Sequence, residues 1–110
     1  MTELSKFGDL IRKTRKDKGL TLNIVAHRLQ IDTSTLCKIE KNKRNATKDL
    51  VIKLAHILEI DKDKLLVSFL SDKVAYELWK EDSASRVLRV AEEKVNYLKY
   101  TNIQQQQFKF

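Results

Sequence analysis

The chain of 110 residues has no proline and only two glycines, Gly8 and Gly19. Sheets and tight turns draw on both residue types, so this scarcity argues against a strand-rich architecture and predicts an all-α fold. A single cysteine, Cys37, excludes an intrachain disulfide and fits a reducing compartment. No apolar run approaches the ~18 residues of a membrane-spanning helix, so no membrane partner is expected. The start, "MTELSKFGDL", lacks the basic segment and apolar run of a signal peptide, and a cytoplasmic protein is the expectation. His27 and His56 have no cysteine or carboxylate set at metal-ligand spacing, so both read as surface or packing histidines and no metal is predicted. There is no Gly-rich phosphate loop, no nucleophile with its base and no carboxylate pair suited to a cleft. Neither an enzyme nor a cofactor is expected.

What the sequence does have is helical patterning and positive charge. Hydrophobic residues make up 42% of the chain, and the net charge is +7. Residues 12–48 hold eleven Lys/Arg against three Asp/Glu, whereas residues 67–110 hold seven against six. A positive block of this kind attracts polyanions, whether duplex DNA, RNA or an anionic membrane surface, unless it is only a solvated lysine-rich face. Phe7, Leu10, Ile11 and Thr14 recur at helical spacing and mark a first helix over about 6–18, with Ser5 or Thr2 to cap it and Gly19 to end it. Thr21 caps a second, whose inner face is Ile24, Val25 and Leu29 with Ala26 beside it. Asp32 caps a short third helix, about 33–41, buried through Leu36 and Ile39. After the loop "NKRNA", Thr47 caps a fourth carrying Val51, Leu54, Ala55 and Leu58, and Asp61 caps a fifth burying Leu65, Leu66 and Phe69.

Around Ser71–Asp72 a kink or break is expected, before further helix with Val74, Ala75, Leu78 and Trp79. "EDSAS" is rich in capping residues and precedes a last helix over about 84–100. Leu88, Ala91, Val95 and Leu98 alternate there by three and four, the spacing of a coiled-coil seam over two heptads. Trp79, Tyr76, Tyr97 and Tyr100 read as packing residues rather than a base-stacking platform. The tail "TNIQQQQFKF" is polar and repetitive; it is either flexible or packs its two phenylalanines on a partner. The expected division is a helical domain over 1–70 and a C-terminal helical extension over 71–110.

The segment from Leu20 to Leu66 resembles the phage-repressor, or Cro-like (XRE), helix-turn-helix family, and the likeness covers roughly residues 6–66. Ala26 sits where two motif helices cross, Ile31 plugs the turn, and Leu36 and Ile39 anchor the recognition helix. "IEKNKR" matches the family's exit loop, and "LVIKLAHILEI" with "DKDKLL" matches its fourth and fifth helices. Three positions usually glycine in the family are Gln30, Asn42 and Glu59 here, and a glutamine common at the start of the second helix is replaced by Leu22. The resemblance implies a five-helix repressor-type domain whose partner is double-stranded DNA. Base readout is expected from Thr33, Ser34, Cys37, Lys38 and Lys41, and phosphate contact from Lys43, Arg44 and Asn45. Arg12, Lys13, Arg15 and Lys16 read as the solvated face of the first helix, some within reach of phosphate. A homodimer on a palindrome is expected, joined through Leu88, Ala91, Val95 and Leu98. The family's roles include repressors, autoregulating controllers of restriction–modification operons and DNA-binding antitoxins. A protein-interaction adaptor using the C-terminal helices is the reading from a different class.

Overall fold

The computed structural model describes residues 5–107, and the side chains of residues 5–103. Among them all regular structure is helical: α1 Phe7–Asp17, α2 Leu22–Leu29, α3 Thr33–Glu40, α4 Lys48–Leu58, α5 Lys62–Leu78 and α6 Ala84–Gln107. The chain forms two compact units, Met1–Ala75 and Tyr76–Phe110.

In the first unit one core joins α1 to α5. Phe7, Ile11, Val25, Ala26, Leu29, Leu36, Ile39, Val51, Leu54, Leu58, Leu65 and Phe69 are all buried in it. Each such side chain contributes about 1.5–3 kcal/mol on leaving water. Ala26 at 1% exposure carries the small side chain needed where α2 meets its neighbours. Ile24, expected inside, is 42% exposed, because the α2 stripe runs through Val25, Ala26 and Leu29 instead.

Thr21, Thr47 and Asp61 cap α2, α4 and α5 as expected, each accepting a hydrogen bond from a backbone N–H three residues on. Asp32 holds the N-cap position of α3, but its side chain makes no capping bond. At α1 the cap differs from the local one expected from Ser5; Thr2 lies outside the described residues. Lys6 is the N-cap and its side chain makes no capping bond. The first turn is satisfied from a distance: Phe7 N–H donates to Asp72 Oδ2 at 2.7 Å, and Gly8 N–H donates to Asn42 Oδ1 at 2.9 Å. These bonds meet donors that a helix start leaves without intrahelical partners.

The same aspartate explains why α5 does not break. No proline or glycine interrupts the helix near Ser71–Asp72, Ser71 Oγ donates to the Ser68 carbonyl, and Asp72 faces α1. Phe69, one turn earlier, meets Phe7 edge-to-face with ring centroids 5.3 Å apart.

In the second unit α6 continues to Gln107, past the expected end near Tyr100. Nothing between Thr101 and Gln107 stops a helix, and glutamine is a good helix former. Leu88, Val95 and Leu98 are 48%, 47% and 64% exposed, and Ala91 is exposed too. Trp79, Tyr97 and Tyr100, read from the sequence as packing residues, are 68%, 67% and 60% exposed in the single chain. Phe108 and Phe110 lie outside the described residues.

Candidate nucleic-acid interface

Four helices end by one device. At the exits of α1, α2, α3 and α4 a residue takes left-handed backbone: Gly19, Gln30, Asn42 and Glu59, at φ 68°, 59°, 60° and 55°. The next residue then donates its N–H back across the last turn: Leu20 to Arg15, Ile31 to Ala26, Lys43 to Lys38 and Ile60 to Ala55. This is the Schellman pattern, in which that next residue is commonly apolar and folds onto the helix. Leu20, Ile31 and Ile60 obey it and pack against the core. At α3 the same position is Lys43, which is exposed. The exit of α3 is thus the one of the four whose returning residue is a cation in solvent.

Leu36 and Ile39 fix α3 from behind, at 0% and 2% exposure. At 100° per residue, Thr33, Ser34, Cys37, Lys38 and Lys41 fall within an arc of about 140° on the other side. Thr33, Ser34 and Lys38 are exposed, Cys37 is half-buried, and Lys41 is the exposed C-cap residue. Lys43, Arg44 and Asn45 continue in the loop before α4, all exposed. Among the described residues, ion pairs are made by Lys13, Arg15 and Lys18, and none by Lys38, Lys41, Lys43 or Arg44. These four cations leave their charge uncompensated on one surface.

Two further groups hold this surface in place, and neither was expected from the sequence. Arg15, read as part of the solvated face of α1, is 7% exposed, and its partner Glu40, the last residue of α3, is 4% exposed. The guanidinium donates from Nε to Glu40 Oε2 at 2.7 Å, from Nη2 to Oε1 at 3.0 Å, and from Nη1 to the Leu20 carbonyl at 2.9 Å. The Glu40 hydrogen bond raises the Arg15 pKa against the opposing effect of burial, so the arginine stays charged. Their register marked them: Arg15 lies four residues after Ile11 on the buried stripe, and Glu40 four after Leu36. The second group is Asn42. Its side chain accepts from Gly8 N–H and donates from Nδ2 to Asp9 at 3.3 Å, tying the α3 exit to the start of α1. Gly8 permits this approach, because a Cβ there would lie 2.6 Å from the Ile39 and Glu40 carbonyl oxygens.

A short helix packed from behind, polar in front, preceded by a supporting helix and a left-handed turn, defines a repressor-type helix-turn-helix domain. The family model described as a helix-turn-helix domain matches residues 8–67, and the chain belongs to that family. The Cro-like resemblance carried by Ala26, Ile31, Leu36 and Ile39 stands with it.

The chain is 35% identical over 66 residues to the uncharacterized HTH-type transcriptional regulator RghRB of Bacillus subtilis (strain 168). That match covers 59% of this chain and 48% of the relative, so the chain spans about half the length of the curated protein it matches. A solved structure titled SinR protein/SinI protein complex shares the fold, with a TM-score of 0.52 at 22% identity, over 87% of this chain and 97% of that one. No helix among the described residues is long and apolar enough to cross a membrane.

Proposed function

We propose that this chain is a sequence-specific DNA-binding transcriptional regulator, a repressor or autoregulating controller, that acts as a homodimer on a palindromic operator. The observation that carries the reading is the set of four unpaired cations, Lys38, Lys41, Lys43 and Arg44, on and just after a core-anchored helix. B-DNA's major groove, about 12 Å wide, admits one such helix. Thr33, Ser34, Cys37, Lys38 and Lys41 face base edges, and Lys38 has the reach for guanine O6 and N7. Lys43, Arg44 and Asn45 grip phosphates, which fixes register while base contacts specify sequence. One domain reads few base pairs, and two copies on a twofold axis read half-sites about 34 Å apart. The apolar stripe Leu88, Ala91, Val95 and Leu98 on α6 supplies the link between copies.

Selecting bound fragments from a random duplex library tests this directly. The expected result is an enriched inverted repeat. Enrichment of no sequence at all, with binding insensitive to salt, refutes it. A second reading is supported by the exposed Val67, Leu70 and Val74 on α5, which form another apolar stripe. In that reading the C-terminal helices hold a protein partner and the chain is an adaptor.

A further inference from the structure

Thr33 is the first residue of α3 and Asn23 the second of α2, and both are exposed. The Thr33 hydroxyl donates to Asn23 Oδ1 at 2.8 Å, the one side-chain hydrogen bond between the two motif helices among the described residues. A threonine hydroxyl has a single proton and two lone pairs, and an amide oxygen only accepts. The bond therefore consumes the only donor Thr33 has. What remains for a ligand is an acceptor oxygen. The Asn23 Nδ2 group keeps both its N–H donors, with no partner among the described residues.

In the major groove adenine and cytosine present an amino donor, N6 or N4, whereas guanine and thymine present the acceptors O6 and O4. A free threonine hydroxyl serves either kind by rotating. One whose proton is already committed serves only the amino kind. We infer that Asn23 is a specificity-determining residue: by taking the Thr33 proton it makes Thr33 a reader of amino bases, and with its own Nδ2 it donates to a neighbouring phosphate. The inference rests on the DNA-binding reading above and adds to it a residue outside the recognition helix and a base class for one operator position. It also gives a role to the second residue of α2, in a chain whose Leu22 has no polar group to offer.

The experiment is the random-duplex selection run on the full chain and on three variants. Thr33→Val removes the hydroxyl, and the operator column whose preference it erases is the Thr33 column. In the unchanged chain that column should favour adenine or cytosine over guanine or thymine by about tenfold on one strand. Asn23→Ala frees the proton and should reduce that preference to less than about threefold while leaving the other columns as they were. Asn23→Asp keeps an acceptor for the proton but loses the amide donors, so it should retain the column and lose affinity for all sequences alike.

Circular dichroism melts confirm that each variant is folded, as substitutions at these exposed positions should leave it. An amino preference that survives Asn23→Ala overturns the inference, as does a Thr33 column that favours keto bases or a Thr33→Val variant that changes no column. Failure of the DNA reading has a different signature, since the unchanged chain would then enrich nothing.

Discussion

Glu40→Gln keeps the shape of the Glu40 side chain and removes its charge, which leaves the Arg15 guanidinium buried beside an amide. Two of the three Arg15 hydrogen bonds end on Glu40, at 2.7 and 3.0 Å, and the glutamine NH2 must now face one of the arginine donors. Stranding one partner of a buried pair costs about 3–5 kcal/mol. The arginine has no escape by neutralising, because a guanidinium stays protonated even without a carboxylate beside it. With the Arg15 pKa raised in the folded state, the charged form favours folding below the unfolded pKa of arginine. That contribution is lost only as pH rises through the still higher folded value, so Arg15 adds no pH dependence near neutrality. For a domain of this size 3–5 kcal/mol lowers Tm by roughly 12–40 °C. Thermal and urea melts followed by circular dichroism measure it. Arg15→Met combined with Glu40→Leu should recover most of the loss, short of about 1–3 kcal/mol for the Leu20 carbonyl left without its donor. A Glu40→Gln protein within about 1 kcal/mol of the parent would refute the claim that this pair fixes α3 to α1.

Left-handed backbone costs a side-chain-bearing residue about 1–2 kcal/mol, against about 0.5–1 kcal/mol of extra unfolded-state freedom for glycine. Gln30→Gly and Glu59→Gly should therefore each raise stability by up to about 1 kcal/mol in urea melts, whereas Asn42→Gly should gain nothing or lose, because it surrenders the bond to Gly8. Gly8→Ala should destabilise by more than about 1–3 kcal/mol, since its Cβ would meet the Ile39 and Glu40 carbonyls at 2.6 Å and backbone cannot easily yield; an unchanged melt would mean that α1 and α3 are not in such contact. With about six basic residues per dimer on phosphates, Lys43 and Arg44 among them, log affinity should fall against log salt with a slope near −5, and a flat dependence would remove DNA as the main partner. Lys38→Ala should cost roughly 1–3 kcal/mol on the selected site and less on random duplex, while Arg44→Ala weakens both alike; equal proportional losses would show that Lys38 reads no base. Leu88→Glu with Val95→Glu should give a folded, helical monomer by sedimentation, and persistence of a dimer would remove the α6 stripe as its seam.

Periodicity made the scaffold legible. Ile11, Leu36, Ile39, Val51 and Leu54 stand at helical spacings that only a common core explains, and Thr21, Thr47 and Asp61 mark helix starts by chemistry local to each. The candidate site was equally local, a polar face set against Leu36 and Ile39. What sequence could not show was long-range partnership. Arg15 sits among Arg12, Lys13 and Lys16 with the same charge and composition, and only its register sets it apart. The cap on α1 comes from residues 34 and 65 positions away. The Thr33–Asn23 bond spans ten residues and depends on how two helices cross. Val67, Leu70 and Val74 form a second stripe on α5 that the pattern conceals, because Leu65, Leu66 and Phe69 already account for that helix.

The distant capping of α1 has a consequence for synthesis. The helix leaves the ribosome before the other helices of its domain, and both groups that close its start are made later, Asn42 from the α3 exit and Asp72 from α5. At about 5–20 residues per second, Asp72 follows Phe7 by roughly 3–13 s. Until Asn42 and then Asp72 have emerged, the Gly8 and Phe7 amides in turn have only water, and the α1 face carrying Phe7 and Ile11 has no completed core to enter. The domain's oldest segment is thus its last to settle, a nascent α1 depends on whatever shields an exposed apolar stripe in the meantime, and in refolding the Phe7 and Gly8 amides should be among the last to gain protection from exchange.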